Sequence, residues 1–113
     1  MTNLSSQPHS VDVAPISPLL ALIRARCNPL AVWLFGSRAK GSPREDSDWD
    51  LLVVLPDEIS DEQMFAENPP SRFGRITNIN ADIIYCNETE FSESTSVPNT
   101  LAYEVARTGV EVA

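Results

Sequence analysis

Two short polar patterns, each joined to an apolar run, constrain the fold more than any other part of this sequence. The run at residues 30–35 ends at Gly36, and the run at residues 51–55 follows Asp48 and Asp50. Short apolar runs rich in β-branched and aromatic residues are typical of buried strands. The sequence therefore predicts one strand that ends in a tight turn and another that opens with paired carboxylates.

The paired carboxylates predict a metal site. Alternate residues of a strand share a face, so Asp48 and Asp50 project together, about 6–7 Å apart along the chain. Two such carboxylates repel each other unless a cation or a shared proton lies between them, and oxygen ligands suit Mg²⁺. With Asp46 they also match the start of an EF-hand loop, but Leu51 stands where that loop requires glycine.

The turn after the first strand predicts a phosphate site. Gly36 lets the backbone turn sharply and approach a ligand closely, and Ser37 adds a hydroxyl. The residues that follow can start a short helix whose free N–H groups would face an anion. Arg38, Lys40 and Arg44 place three of the eight basic residues near this turn, which suits a polyphosphate.

Together, the two patterns resemble a known signature. Residues 36–41, Gly-Ser-Arg-Ala-Lys-Gly, and residues 47–51, Ser-Asp-Trp-Asp-Leu, resemble the G-S-x-A-x-G and S-D-x-D-L motifs of the nucleotidyltransferase superfamily. The short chain resembles the minimal branch, the MNT proteins, which pair with a HEPN-domain partner in toxin–antitoxin modules. The resemblance implies an α/β (α+β) nucleotidyltransferase-type fold, a small mixed sheet with helices packed on it.

The resemblance also implies roles for particular residues. Asp48, Asp50 and Asp82 would be catalytic and would bind two Mg²⁺ ions about 3.5–4 Å apart, with Asp82 as a ligand or as the base. Gly36, Ser37, Arg38 and Lys40 would bind the phosphates of ATP.

Lys40 departs from many members of the family, which have arginine there. Lysine keeps the charge but loses the bidentate geometry.

Three functions are compatible with this resemblance. The first is an adenylyltransferase that moves AMP from ATP to a tyrosine of a HEPN ribonuclease toxin and so acts as an antitoxin. The second is a non-catalytic antitoxin that neutralises its partner by binding alone. The third is a small-molecule (antibiotic) nucleotidyltransferase that acts as a dimer.

The length and the net charge of the chain limit the number of domains and the kinds of partner that we expect. A chain of 113 residues predicts one domain at residues 13–113, after a polar tail at residues 1–12 that we expect to be disordered. A net charge of −8 argues against direct nucleic-acid binding. The sequence lacks an apolar run of roughly 20 residues and a signal-peptide pattern, so we expect no membrane contact and a cytoplasmic location.

The number and positions of the histidine and the cysteines argue against nucleophilic catalysis by serine or cysteine and against a disulfide or zinc framework. His9 is the only histidine and lies in the predicted tail, which argues against Ser-His and Cys-His nucleophiles. Cys27 and Cys86 are too few for a disulfide scaffold or a zinc site, so we expect buried free thiols.

Periodicity and turn residues predict the remaining elements. They are a helix over residues 18–27 with Ser17 as its N-cap, helices over 61–67 and 71–78, a strand over 81–86, an acidic loop with a possible short turn over 87–97, a helix from Pro98 with Leu101, Ala102, Val105 and Ala106 as its buried stripe, and an edge strand over 110–112.

Overall fold

Four strands form one sheet with helices on both faces in the computed structural model, which describes residues 12–39, 48–59, 62 and 70–113. After a 3₁₀ turn at Ala14–Ile16, the elements are α1 (Ser17–Cys27), β1 (Ala31–Phe35), β2 (Trp49–Leu55), α2 (Pro70–Thr77), β3 (Ala81–Asn87), α3 (Glu88–Ser94), α4 (Leu101–Thr108) and β4 (Val110–Glu111).

The sheet is mixed. Its strand order is β3-β2-β1-β4, with β1 antiparallel to both β2 and β4 and with β2 parallel to β3. This arrangement confirms the predicted fold class, a small mixed sheet covered by helices.

One face of the sheet holds the main hydrophobic core, and α1 and α2 cover it. The prediction of Ser17 as the N-cap was wrong, because Ser17 is already the first residue of α1 and Ile16 precedes it without a side-chain cap. Pro18 lies in the first turn, where proline is favoured because its missing N–H has no intrahelical partner. Asn28 ends the helix in the left-handed conformation, at φ 47°. The core side chains on this face include Leu19, Ile23, Val32, Leu34, Leu51, Val53, Leu55, Phe73, Ile83 and Tyr85.

The opposite face is covered by α3 and α4. The prediction of an acidic loop over residues 87–97 was wrong, because α3 occupies Glu88–Ser94. The Asn87 side chain caps this helix by accepting a hydrogen bond from the backbone N–H of Glu90 at 2.7 Å. The Phe91 ring then packs on Trp33, with ring centroids 6.0 Å apart.

The last helix differs from its prediction in two details. It begins at Leu101 with Thr100 as its cap, rather than at Pro98. Ala102 and Val105 are buried as expected, but Leu101 is 36% exposed and Ala106 is also exposed.

Some predictions lie outside the described residues. These are the helix over residues 61–67 apart from Glu62, the tail apart from Asp12, and Lys40. Of the helices that the structure describes, each is too short or too polar to cross a membrane.

Candidate functional site

Strand pairing brings two of the three predicted catalytic aspartates together. Asp50 of β2 is paired with Asp82 of β3 in the parallel register, so their side chains leave the same face of neighbouring strands, about 4.8 Å apart at the backbone. On its other side Asp50 is paired with Phe35, the last residue of β1. The Gly-Ser turn, which follows the end of β1, therefore lies directly beside the carboxylates.

Gly36 is in direct contact with Asp50. Its φ of +78° lies in the region that favours glycine, and a Cβ added there would overlap Oδ2 of Asp50 and lie 3.2 Å from Cγ. The turn is closed by the backbone N–H of Ala39, which donates to the Gly36 carbonyl oxygen at 3.1 Å. Only glycine lets the predicted phosphate-binding turn approach the carboxylate this closely.

The carboxylates form a negatively charged cluster. Partial burial raises the pKa of Asp50, and the nearby charges of Asp82 and Asp48 raise it further. Asp48 and Asp82 themselves are exposed. Because like charges and desolvation both disfavour the ionised form of Asp50, the site would gain from a bound cation.

The three side chains do not converge as a ready-made metal cluster. Within the part of the chain that the structure describes, no group of three potential ligands is close enough to hold an ion. Asp48 instead accepts a hydrogen bond at Oδ1 from the Asn80 side-chain amide. The residues nevertheless fit a divalent cation, because Asp50 and Asp82 leave the same face of neighbouring strands and the charges of Asp82 and Asp48 disfavour the ionised form of Asp50 unless a cation is present.

The predicted phosphate ligands are only partly placed. Ser37 is exposed in the turn, beside the carboxylates. The Arg38 guanidinium lies 4.2 Å from the centroid of the Trp49 ring, a cation–π distance. Since Trp49 projects to the face opposite Asp48 and Asp50, Arg38 contacts the back of β2. The phosphate roles of Ser37, Arg38 and Lys40 stay predictions.

An apolar recess lies on the same face as the carboxylates. It has a volume of about 250 Å³, and its lining includes Leu52, Ile84, Cys86, Phe91, Leu101 and Ala102. Ile84 and Leu101 are also large apolar side chains that remain 37% and 36% exposed.

Cys86 in this recess is not an activated nucleophile. Burial raises its pKa to about 11, and the charge of Glu90 adds to the effect. The thiol is therefore protonated at neutral pH. Both cysteines are free, and Cys27 is buried as expected, whereas Cys86 is only partly buried.

Two features of this region were missed by the sequence interpretation. Asn80 belongs to no motif, and its contact with Asp48 joins residues 32 apart in the chain. The recess was missed because α3 was taken for a loop. Asn87 followed by Glu90 is a capping pattern that could have indicated that helix.

Comparison with known proteins agrees with this geometry. A family model described as "Polymerase beta, Nucleotidyltransferase" matches residues 19–113. The chain belongs to this nucleotidyltransferase family. The matched range contains the Gly-Ser turn and the strand-borne aspartates.

A solved structure has a fold similar to that of this chain. The crystal structure of a toxin-antitoxin with AMP-PNP is similar to this chain, with a TM-score of 0.58 and 18% sequence identity, over 83% of this chain and 68% of the other. At this identity the likeness establishes the fold only. A search of curated proteins finds no match.

Proposed function

We propose that this protein is a Mg²⁺-dependent nucleotidyltransferase that moves AMP from ATP to a hydroxyl of a protein partner and thereby acts as an antitoxin. The partner in this proposal is a HEPN ribonuclease toxin, and the acceptor is one of its tyrosines. The observation that carries the proposal is the pairing of Asp50 with Asp82 together with the close approach of Gly36 to Asp50, which puts two carboxylates beside a turn suited to phosphate.

The chain's own residues account for the binding steps. Asp48, Asp50 and Asp82 hold divalent cations, and those cations, when bound, neutralise charge on the triphosphate and on the departing pyrophosphate. The Gly36 turn approaches the phosphates closely because it has no side chain, and the Ser37 hydroxyl donates to them. Catalysis consists mainly of positioning and charge neutralisation.

The transfer itself balances without a covalent enzyme intermediate. The acceptor oxygen forms a bond to the α-phosphorus of ATP, and the bond from that phosphorus to the oxygen bridging to the β-phosphate breaks. Pyrophosphate leaves with the electron pair of that bond. The proton of the acceptor hydroxyl passes to the carboxylate of Asp82 if this exposed residue, one strand away from Asp50, acts as the base, and to water if Asp82 is a ligand of the second cation instead.

The charge of the chain supports a protein acceptor. A net charge of −8 disfavours a nucleic-acid acceptor and favours a partner with a basic surface. The fold shared with a toxin-antitoxin crystallised with AMP-PNP supports both the nucleotide and the antitoxin role in this proposal.

The first test is calorimetric binding of ATP with and without Mg²⁺. We expect Mg²⁺-dependent binding by the wild type and no detectable binding by the Asp48→Ala/Asp50→Ala variant, because that change removes two of three ligands. The matched control is Asp57→Ala/Glu58→Ala, which removes two carboxylates from exposed positions just beyond the other end of β2. It also removes the hydrogen bonds that Asp57 accepts from Thr89 in the first turn of α3, so we expect a lower melting temperature but intact ATP binding.

Each result has a distinct meaning. Absence of ATP binding by folded wild-type protein would overturn the proposal for the isolated chain. If ATP binds, mass spectrometry of the co-expressed HEPN toxin should show the added mass of AMP. Neutralisation of the toxin without that added mass would instead establish an antitoxin that acts by binding alone.

A further inference from the structure

Asn80 is a polar residue beside the carboxylates that has no place in the sequence motifs. It directly precedes β3, and its side-chain amide Nδ2 donates a hydrogen bond to Oδ1 of Asp48. Its backbone carbonyl oxygen accepts a hydrogen bond from the N–H of Trp49 at 3.0 Å. One residue therefore holds both the start of β2 and the carboxylate just before it.

Asp48 needs such a restraint more than Asp50 does. The pairing of β2 with β3 begins at Trp49 and Ala81, so Asp48 lies just outside the ladder. Asp50 is restrained by strand pairing on both sides and by the contact with Gly36. The sheet orients the Asp50 side chain. The Asn80 amide has the same role for the exposed Asp48 side chain, which the sheet does not restrain.

We propose that Asn80 is a positioning residue that orients the Asp48 carboxylate for binding a divalent cation. This inference rests on the proposed function. The amide donates to Oδ1 and leaves Oδ2 of Asp48 available as a ligand. Hydrogen bonds that orient metal ligands in this way commonly change metal affinity by about 10–100-fold.

The test is the Mg²⁺ dependence of ATP binding in Asn80→Ala. We expect the Mg²⁺ concentration for half-maximal binding to rise by about 10–100-fold, whereas ATP affinity at saturating Mg²⁺ returns close to the wild-type value. Calorimetric titration with Mn²⁺ alone should show the same loss and needs no turnover. The backbone bond from Trp49 remains in this variant, so strand pairing is retained.

Asn87→Ala is the matched control for a purely structural effect. It also replaces an asparagine whose side chain makes a hydrogen bond, but that bond caps α3 at the other end of β3. We expect it to lower the melting temperature without changing the Mg²⁺ requirement. If Asn80 only stabilised the fold, both variants would lose stability and neither would alter the Mg²⁺ requirement.

A double variant tests whether Asn80 affects metal binding through Asp48 or independently of it. In the Asp48→Ala background, Asn80→Ala should cause no further loss of Mn²⁺ affinity, because the oriented carboxylate is already absent. An equal loss in both backgrounds would overturn the inference, as would an unchanged or tighter metal affinity in Asn80→Ala alone. Wild-type protein that binds no Mg²⁺ and ATP would overturn the proposed function and this inference with it.

Discussion

Adjacent leucines of β2 show how differently the two faces of the sheet are built. Leu51 and Leu52 are 0% and 2% exposed, so their burial is nearly the same. Leu51 belongs to the main core beneath α1 and α2, whereas Leu52 lines the recess under α3 and α4. Two leucines with nearly equal burial therefore have different surroundings. Leu51 is enclosed by core side chains, whereas Leu52 borders the recess.

The difference separates stability from chemistry. The core face is lined almost entirely by apolar side chains, with the Tyr85 hydroxyl accepting a hydrogen bond from the Cys27 thiol. The other face carries Asp50 and Asp82, whose ionised forms repel each other in the absence of a cation. The core face stabilises the sheet. The opposite face can therefore carry the carboxylates of Asp50 and Asp82, which do not stabilise the sheet by themselves.

The sharpest comparison is Leu51→Ala against Leu52→Ala. We expect the free energy of unfolding to fall by about 4 kcal/mol for Leu51→Ala and by about 2 kcal/mol for Leu52→Ala. Leu51 loses contacts on all sides, whereas Leu52 already borders a cavity. Urea denaturation measures both values, and equal losses would mean that the recess is packed as tightly as the core.

A smaller effect of opposite sign is expected for Asp50→Asn. Near neutral pH and without divalent cations, this variant should unfold at a slightly higher temperature than the wild type, because it removes a carboxylate whose charge is disfavoured in the fold. The gain should be well below the leucine losses, since Asp50 is only partly buried and solvent screens its charge.

The pH dependence of this effect follows from the raised pKa of Asp50. A folded-state pKa above the ordinary 3.8 means that the folded protein holds this proton more tightly than the unfolded chain does. The wild type therefore loses stability relative to Asp50→Asn as the pH rises from below 3.8 through the raised pKa. Below 3.8 the two proteins should converge, and a difference that persists there would contradict this cause.

Addition of Mg²⁺ and ATP should reverse the order of the two proteins. Ligand binding stabilises only the protein that binds it, so the wild type should then melt above Asp50→Asn. A thermal-shift measurement with and without both ligands makes this comparison. An unchanged order would argue against Asp50 as a ligand.

The smallest effect is expected for Trp33→Phe, which lies on the same face as the recess. Among the described side chains, Trp33 Nε1 is a buried donor without a hydrogen-bond partner. Phenylalanine removes this unsatisfied group but also fills less space, and each effect amounts to about 1–3 kcal/mol. We expect a net change within about 1 kcal/mol in urea denaturation, and a larger loss would show that the indole N–H has a partner such as water.

The sequence predicted those elements whose signals are local. The apolar runs of β1 and β2, and Pro18 with Asn28 around α1, gave elements close to those observed. The pairing of Asp50 with Asp82 was beyond such reasoning, because parallel register depends on packing between residues 32 apart. The motif resemblance indicated Asp82 as a third carboxylate, but only the fold places it beside Asp50, and its role stays a prediction.

The Asn80 contact marks the limit of motif-based prediction. Its position follows from where α2 ends and β3 begins, which depends on the packing of Phe73 into the core. A single asparagine between a helix and a strand has no sequence signal that distinguishes it from an ordinary turn residue.

The parallel pairing of β2 with β3 also has a consequence for the order of folding. β1 and β2 pair across a short sequence separation, but β3 can join β2 only after the intervening chain and α2 have crossed over the sheet. Contacts between distant parts of a chain form late because loop closure is entropically costly. Asp82 lies in β3 and Asn80 directly precedes it, so these two residues reach the Gly-Ser turn and Asp50 only when β3 pairs with β2.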